Sequence, residues 1–132
     1  MVPQEPDRLR IPPRERFAED VFSFDLTRVF DNLADEPHPG IDGHRQIAIY
    51  KGGSLTTLAL LFETGGTLPR HQTAGVVTLQ LLSGRLAIET GHGEETVIGP
   101  NGLMVIQPQV FFSIQAREPS RLLMTVSRPM IH

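Results

Sequence analysis

The chain has 132 residues, of which 39% are hydrophobic, and a formal net charge of −3. This length suits a single domain, and the absence of a basic run argues against a nucleic acid partner. The sequence contains no cysteine, which excludes disulfides, thiolate catalysis and cysteine-ligated metal sites. The first residues lack a signal-peptide pattern, and no apolar run reaches the roughly 20 residues that cross a bilayer. We therefore expect a cytoplasmic protein with no membrane partner.

The N-terminal end of the chain is rich in proline and in charged residues. Residues 1–16 hold few large apolar side chains and four prolines, namely Pro3, Pro6, Pro12 and Pro13. Because such a segment buries little apolar surface, we predict a flexible arm here. Exchange of this arm between the two copies of a dimer is the alternative. Residues 17–132 are then expected to form one domain.

A single amphipathic helix is predicted between residues 17 and 43. Its apolar face follows the i, i+3, i+4, i+7 spacing and consists of Leu26, Val29, Phe30 and Leu33. Asp25 precedes this face and suits an N-cap. The helix is expected to end before three helix-breaking residues, Pro37, Pro39 and Gly40. Four apolar residues before the helix are expected to pack against a larger part of the domain: Phe17, Val21, Phe22 and Phe24.

From His44 onward the pattern becomes that of β-strands. Eight strands are predicted, at residues 46–51, 55–63, 76–82, 85–90, 94–98, 103–107, 110–116 and 121–127. Glycine or proline ends most of them, as at Gly52-Gly53 and Ser83-Gly84. Many short strands at this spacing are typical of an all-β sandwich or barrel. The periodicity does not decide between these two architectures.

Two stretches carry a distinctive spacing of glycine, histidine and proline. In the first, five residues separate Gly65 from His71, and Gly84 closes the stretch. In the second, five residues separate Gly102 from Pro108. These spacings resemble the two motifs of the cupin superfamily.

The resemblance covers about residues 44–127, which would form the barrel core. It implies a double-stranded β-barrel, or jelly roll, with a pocket at one end and with the predicted helix as an N-terminal addition. Small cupins commonly associate in pairs through sheet edges, so the resemblance also implies a homodimer. Exposed sheet edges, which a small jelly roll must protect, favour the same expectation.

The resemblance also indicates where a cupin would bind a metal. In cupins the first motif supplies two histidines and a glutamate, and the second motif supplies one more histidine. Here only His71 stands at such a position, and the other three hold Thr73, Val77 and Ser113. Hydroxyl groups are poor ligands for Fe, Mn or Zn, and valine offers no donor. No metal and no other cofactor is therefore predicted.

The remaining histidines leave one alternative route to a metal. His44 or His92 could rebuild a site with His71, although both lie outside the matched motifs. We otherwise expect these two residues, together with His38 and His132, to be solvated.

A small polar or anionic ligand is predicted in the barrel pocket. Five polar residues lie near the matched positions and are predicted to bind it: Arg70, His71, Thr73, Gln107 and Ser113. Arginine favours a carboxylate, which it can bind in a bidentate way. His71 is also the candidate catalytic residue, since imidazole titrates near neutral pH and can act as acid or base. The competing interpretation is a remnant histidine that is hydrogen-bonded to its neighbours.

Several functions remain open at this stage, and the sequence does not decide whether the protein is an enzyme. The first hypothesis is a metal-free cupin that binds a small ligand as a homodimer. The second is a metal-independent isomerase, epimerase or lyase that uses His71. The third is a metal-dependent oxygenase or hydrolase with atypical ligands. In a fourth, Leu79, Leu81 and Met104 fill the pocket and the protein works through its surface.

Overall fold

The computed structural model of the chain describes residues 20–37, 40–91 and 93–128. The predicted arm lies outside the described residues, as does the predicted packing of Phe17. The same holds for three of the five histidines: His38, His92 and His132.

Within these ranges the chain forms one α-helix, followed by nine β-strands. The helix is α1 (Leu26–Ala34). The strands are β1 (His44–Lys51), β2 (Leu55–Phe62), β3 (Thr67–His71), β4 (Val77–Ser83), β5 (Leu86–Thr90), β6 (Glu94–Ile98), β7 (Leu103–Ile106), β8 (Phe112–Ala116) and β9 (Ser120–Ser127). The predicted class, all-β with a short N-terminal helix, is confirmed. Helix α1 is too short to cross a membrane, and the described residues hold no longer helix.

The strands form two antiparallel sheets that enclose one apolar core. The five-stranded sheet has the order β1-β2-β9-β4-β7, and the four-stranded sheet has the order β3-β8-β5-β6. Alternate residues of both sheets point between them and pack together, as period-two alternation requires. The largest of these fully buried side chains are Leu60, Phe62, Leu79, Leu81, Leu86, Ile88, Phe112, Ile114 and Leu122. Each contributes roughly 1.5–3 kcal/mol by leaving water.

Helix α1 covers the outer face of the five-stranded sheet. Its apolar face buries Val29, Phe30 and Leu33 against outward-facing residues of β1 and β2, and Ile47 and Ala59 are among these. The carboxylate of Asp25 accepts a hydrogen bond from the backbone N–H of Arg28 at 3.3 Å, which confirms the predicted N-cap. The segment before the helix packs less than was predicted, since Val21 is 76% exposed.

The turn between β4 and β5 depends on a glycine. Gly84 has a φ of +97°, a conformation that residues with a Cβ rarely adopt. A Cβ at this position would also collide with the backbone of Pro119 and with Ser120. Ser120 is 1% exposed, and its hydroxyl donates a hydrogen bond to the carbonyl of Glu118 at 2.7 Å. The predicted turn at Ser83-Gly84 is thus confirmed.

Strand β3 was missed by the sequence prediction. It is short, it contains Pro69, and it lies at the edge of the four-stranded sheet. Its pairing with β8 shifts register between Leu68 and His71. Proline is tolerated only at edges and bulges of sheets, because it cannot donate to the ladder. A strand of this kind therefore lacks the alternating or apolar run by which the other eight were predicted.

Candidate functional site

The interior position that would carry a glutamate ligand in a cupin is apolar here. Val77 begins β4, is 1% exposed and pairs with Ile106 and Val126 on the neighbouring strands. Further along the same strand, Leu79 and Leu81 are fully buried in the core. Side chains therefore fill the space between the sheets around this position. The fourth hypothesis from the sequence expected Leu79 and Leu81 to fill the pocket in this way.

Ser113 faces away from the barrel interior, contrary to the expectation that it would line the pocket. Its neighbours in β8, Phe112 and Ile114, are 1% and 2% exposed and point into the core. Because successive side chains of a strand point to opposite faces, Ser113 lies on the outer face of the four-stranded sheet. There it is the cross-strand neighbour of Glu89.

His71 lies at the end of β3, beside the core. Its ring stacks at a tilt on Phe112, with 4.4 Å between the ring centroids. Its Nδ1 lies 3.0 Å from the carbonyl oxygen of Pro69, and since a carbonyl only accepts, Nδ1 carries the proton and donates. In the neutral ring, Nε2 is then the atom with a free lone pair.

Thr73 and Gln107 lie in two neighbouring loops at the same end of the barrel. The hydroxyl of Thr73 donates to the carbonyl of Gly75 at 2.7 Å, and its own carbonyl accepts from the backbone N–H of Gln109 at 2.8 Å. Gln107 is exposed, and its carbonyl accepts from the N–H of Val110. The hydroxyl of Thr73 is thus engaged within its own loop.

These residues do not fit a metal. Of the four family positions, His71 alone offers a nitrogen donor, Val77 offers none, and Ser113 faces the opposite side of the sheet. Within the residues that the structure describes, no three His, Asp or Glu side chains lie close enough together to hold an ion. Metal sites of transition ions need several nitrogen, oxygen or sulfur donors that converge on one point.

His44 does not complete such a site. It is buried, it stacks on Phe62, and its Nδ1 donates to the carbonyl of Thr67 at 2.9 Å. Its Nε2 lies 3.1 Å from the side-chain amide of Gln46. Since Thr67 begins β3 and His71 ends it, the two histidines lie near opposite ends of that strand. The predicted solvated state of His44 is wrong, because the core and two polar partners surround it.

Arg70 lies on the outer face, beside Ser113. The register shift in β3 turns its side chain outward, where the guanidinium carbon lies 4.1 Å from the centre of the Phe111 ring. The backbone N–H of Gly91 donates to the carbonyl of Phe111 at 2.9 Å, which holds this ring beside the β5–β6 turn.

A cleft of about 190 Å³ opens at this place. We call it the Arg70 cleft; its lining residues are Arg70, Glu89, Thr90, Gly91, Gly93 and Ser113. Of the five residues predicted to bind a ligand, the structure thus brings Arg70 and Ser113 together. His71, Thr73 and Gln107 do not line this cleft.

Solved structures with the same architecture share little sequence with the chain. A conserved protein of unknown function from Streptococcus pyogenes is 18% identical, with a TM-score of 0.67 over 86% of this chain and 92% of that one. A cupin superfamily protein from Desulfitobacterium hafniense is 12% identical, with a TM-score of 0.63 over 72% and 93%. An RmlC-like cupin from Desulfovibrio desulfuricans is 15% identical, with a TM-score of 0.64 over 75% and 95%. The chain has the cupin fold.

The resemblance that the two motifs predicted is therefore confirmed at the level of the fold. No protein-family model and no curated protein matches the sequence of this chain. At identities of 12–18%, the structural similarities say nothing about its chemistry. Its function has to be argued from its own residues.

Sequence reasoning missed the roles of two residues at the Arg70 cleft: Glu89 lines it, and Phe111 stacks on Arg70. Phe111 and Phe112 were expected to wall the pocket, or one of them to fill the core or a dimer interface, and Glu89 received no role. The alternation of Leu86, Ile88 and Thr90 in β5 does place Glu89 on the outer face. Its position beside Ser113 depends on the pairing register of β5 and β8, for which the sequence carries no signal.

Proposed function

We propose that this cupin binds a small organic carboxylate, without a metal, in the Arg70 cleft. The observation that carries the proposal is that the guanidinium of Arg70 has no polar partner among the described residues. Its guanidinium stacks on Phe111, and among the described residues it forms neither an ion pair nor a hydrogen bond. All of its N–H donors therefore remain available to a ligand.

The stacking on Phe111 favours anion binding for a physical reason. An aromatic ring holds a guanidinium that lies against it in one orientation. The N–H groups still point outward, in the plane of the guanidinium itself. A carboxylate accepts two of these N–H groups at once, and the pair is stronger than a neutral hydrogen bond. Because the ring already orders the arginine, less conformational entropy is lost when the ligand binds.

The size and lining of the cleft favour a small ligand. Ordinary ligand pockets measure roughly 300–1,000 Å³, and the Arg70 cleft measures about 190 Å³. The hydroxyl group of Ser113 lies beside the charged side chains that line it. A ligand of a few non-hydrogen atoms with one carboxylate suits these dimensions.

Calorimetric titration tests this proposal with two probes of the same shape. Propionate should bind with a millimolar Kd, and its neutral analogue propionamide should not bind. Arg70→Gln should weaken propionate at least about tenfold, since hydrogen bonds to charged groups contribute roughly 1.5–3 kcal/mol. Arg85→Gln, an equal change of charge at the β4–β5 turn, is the control and should bind as the wild type does. Equal binding of both probes, or unchanged binding by Arg70→Gln, contradicts the proposal.

Acid–base catalysis by His71 is the second candidate function. Its support is the hydrogen bond to Pro69, which fixes the tautomer and leaves Nε2 as a base. The resemblance to metal-independent cupin epimerases implies an aspartate and a tyrosine as partners of such a histidine. We rank this function second because Tyr50, the only tyrosine of the chain, packs on Phe22 instead, with 5.3 Å between the ring centroids. Exchange of the methyl protons of pyruvate with D₂O tests it. Exchange that is faster with the wild type than with His71→Gln would favour catalysis, and equal exchange would remove it.

We also propose that the chain forms a homodimer through β7. This strand is an edge of the five-stranded sheet, so one side of its backbone has no neighbour among the described strands. Its outward side chains, Leu103 and Val105, are 63% and 54% exposed. Exposed apolar edge strands are usually covered, because they otherwise pair with other chains. A second copy of β7 would cover both the backbone edge and these side chains.

A further inference from the structure

We infer that the ligand of the Arg70 cleft is a small zwitterion, whose ammonium group is bound by Glu89. This inference rests on the proposed binding of a carboxylate at Arg70 and adds the second charged group of the ligand.

Glu89 shares the cleft with Arg70 without pairing with it. Both side chains are exposed and line the same cavity, and the described residues form no ion pair between them. Opposite charges in one small cleft attract each other, and the attraction increases as they approach. Since the two groups stay apart, the cleft presents a separate cation and a separate anion to whatever enters it.

A second carboxylate lies directly opposite Glu89. In the pairing of β5 with β6, Glu89 is the cross-strand partner of Glu95. Like charges at directly opposed positions of a sheet repel each other and destabilise it. Arg117 compensates Glu95 with an ion pair of 3.0 Å, and no described residue does the same for Glu89. A cation that binds beside Glu89 would therefore offset its repulsion by Glu95.

The other neighbours of Glu89 leave room for this cation. Across β8 its partner is Ser113, a neutral hydroxyl that supplies at most one hydrogen bond. A carboxylate has about four acceptor positions, and an ammonium group has three donors. An ammonium group in the cleft can donate to Glu89 and to the hydroxyl oxygen of Ser113 together.

The charge balance of the cleft favours a zwitterion over a simple anion. A carboxylate alone is attracted by Arg70 but repelled by Glu89, and an amine alone meets the opposite pair of forces. A molecule that carries both charges is attracted by both side chains. Small amino acids have this charge pattern and the size that the cleft admits.

The experiment compares carboxylates with and without an amino group. Alanine and β-alanine are measured against propionate, and 4-aminobutyrate against butyrate, by calorimetry under identical conditions. The distance between the ammonium and carboxylate groups increases from alanine to β-alanine to 4-aminobutyrate. The three amino acids therefore sample different distances between the two charges of the ligand. We expect at least one of them to bind the wild type about tenfold or more tightly than its parent carboxylate. Glu89→Gln should abolish this preference, and it should bind propionate somewhat more tightly than the wild type does, because the repulsion by Glu89 is removed.

Glu95→Gln is the matched control, because it removes the opposing carboxylate outside the cleft. It should retain the preference for the amino acid. If propionate binds but no amino acid binds more tightly, the inference is wrong and the carboxylate proposal stands. If neither class binds, both proposals are wrong. Since the comparison of probes needs only the wild type, it decides the inference even if a variant fails to fold.

Discussion

The guanidinium of Arg70 lies 4.1 Å from the centre of the Phe111 ring, on the outer face of the four-stranded sheet. The arginine comes from β3, and the phenylalanine comes from the residue just before β8. The contact thus joins the first motif to the second outside the barrel, whereas cupin metal ligands from the same two motifs meet inside it. This relationship is why we place binding on the outer face.

Phe111→Leu should weaken propionate binding. Leucine retains apolar bulk but removes the π face, and cation–π contacts at exposed sites contribute roughly 0.5–1 kcal/mol. The expected loss in affinity is therefore about two- to fivefold, measured by calorimetry. Phe111→Tyr keeps the ring and should bind as the wild type does. Equal affinity of all three proteins would show that the stacking does not prepare Arg70 for a ligand.

Glu89→Gln should stabilise the free protein. The substitution removes the repulsion with Glu95 across the strand pair, and for exposed charges this amounts to a few tenths of a kcal/mol. Urea unfolding at low ionic strength measures the gain, which should shrink in ~1 M salt because the Debye length falls to about 3 Å.

Glu95→Gln provides the control for this measurement. It relieves the same repulsion but also breaks the ion pair with Arg117, so it should stabilise the protein less than Glu89→Gln does. If Glu89→Gln lowered the free energy of unfolding instead, the charge of Glu89 would be stabilising the free protein, and the repulsion argued here would be contradicted.

Val105→Glu should convert a dimer into a monomer. A charge in the middle of the proposed contact would be buried against a second copy of β7, and burying an unpaired charge is costly. Sedimentation equilibrium at micromolar concentration measures the mass. Val97→Glu is a matched control, since Val97 is 44% exposed on β6, the edge of the other sheet, and should stay dimeric. A monomeric wild type would contradict the proposed dimer.

Added Zn²⁺, Mn²⁺ or Fe²⁺ should leave the Tm of the protein unchanged. A metal that binds the folded state stabilises it by mass action, and the family positions here offer His71 as their one nitrogen donor. Differential scanning fluorimetry makes the comparison, with His71→Ala as the control. A rise in Tm that appears in the wild type and disappears in His71→Ala would restore the metal-dependent hypothesis.

Local signals in the sequence were sufficient for most of the fold. Helix α1 was predicted because its cap at Asp25 and its apolar face both lie within a few residues. Eight of the nine strands were predicted because each is a short alternating or apolar run that is bounded by turn residues. The exception, β3, owes its place to pairing with β8, and its Pro69 removes the pattern by which strands are recognised.

The candidate site was harder to predict, because motif spacing does not fix which way a side chain points. A shift of one residue moves a strand residue from one face of a sheet to the other, and β8 presents Phe112 rather than Ser113 to the core. The neighbours of Glu89 depend on strand register across long sequence separations, which local patterns do not encode. The cytoplasmic location and the absence of a nucleic acid partner stay predictions.

The measurement that tests the central claim most directly is a map of where propionate binds. In ¹H–¹⁵N spectra of the labelled wild type, the amides of Gly91 and Gly93 line the Arg70 cleft and should shift on titration. The amide signal of Gly75, in the loop that follows β3, should not shift. In ¹H–¹³C spectra, the methyl signals of Leu79 and Met124 in the core should not shift either. Shifts of Gly75 and of these methyl groups, with Gly91 and Gly93 unchanged, would place the ligand inside the barrel and contradict this account.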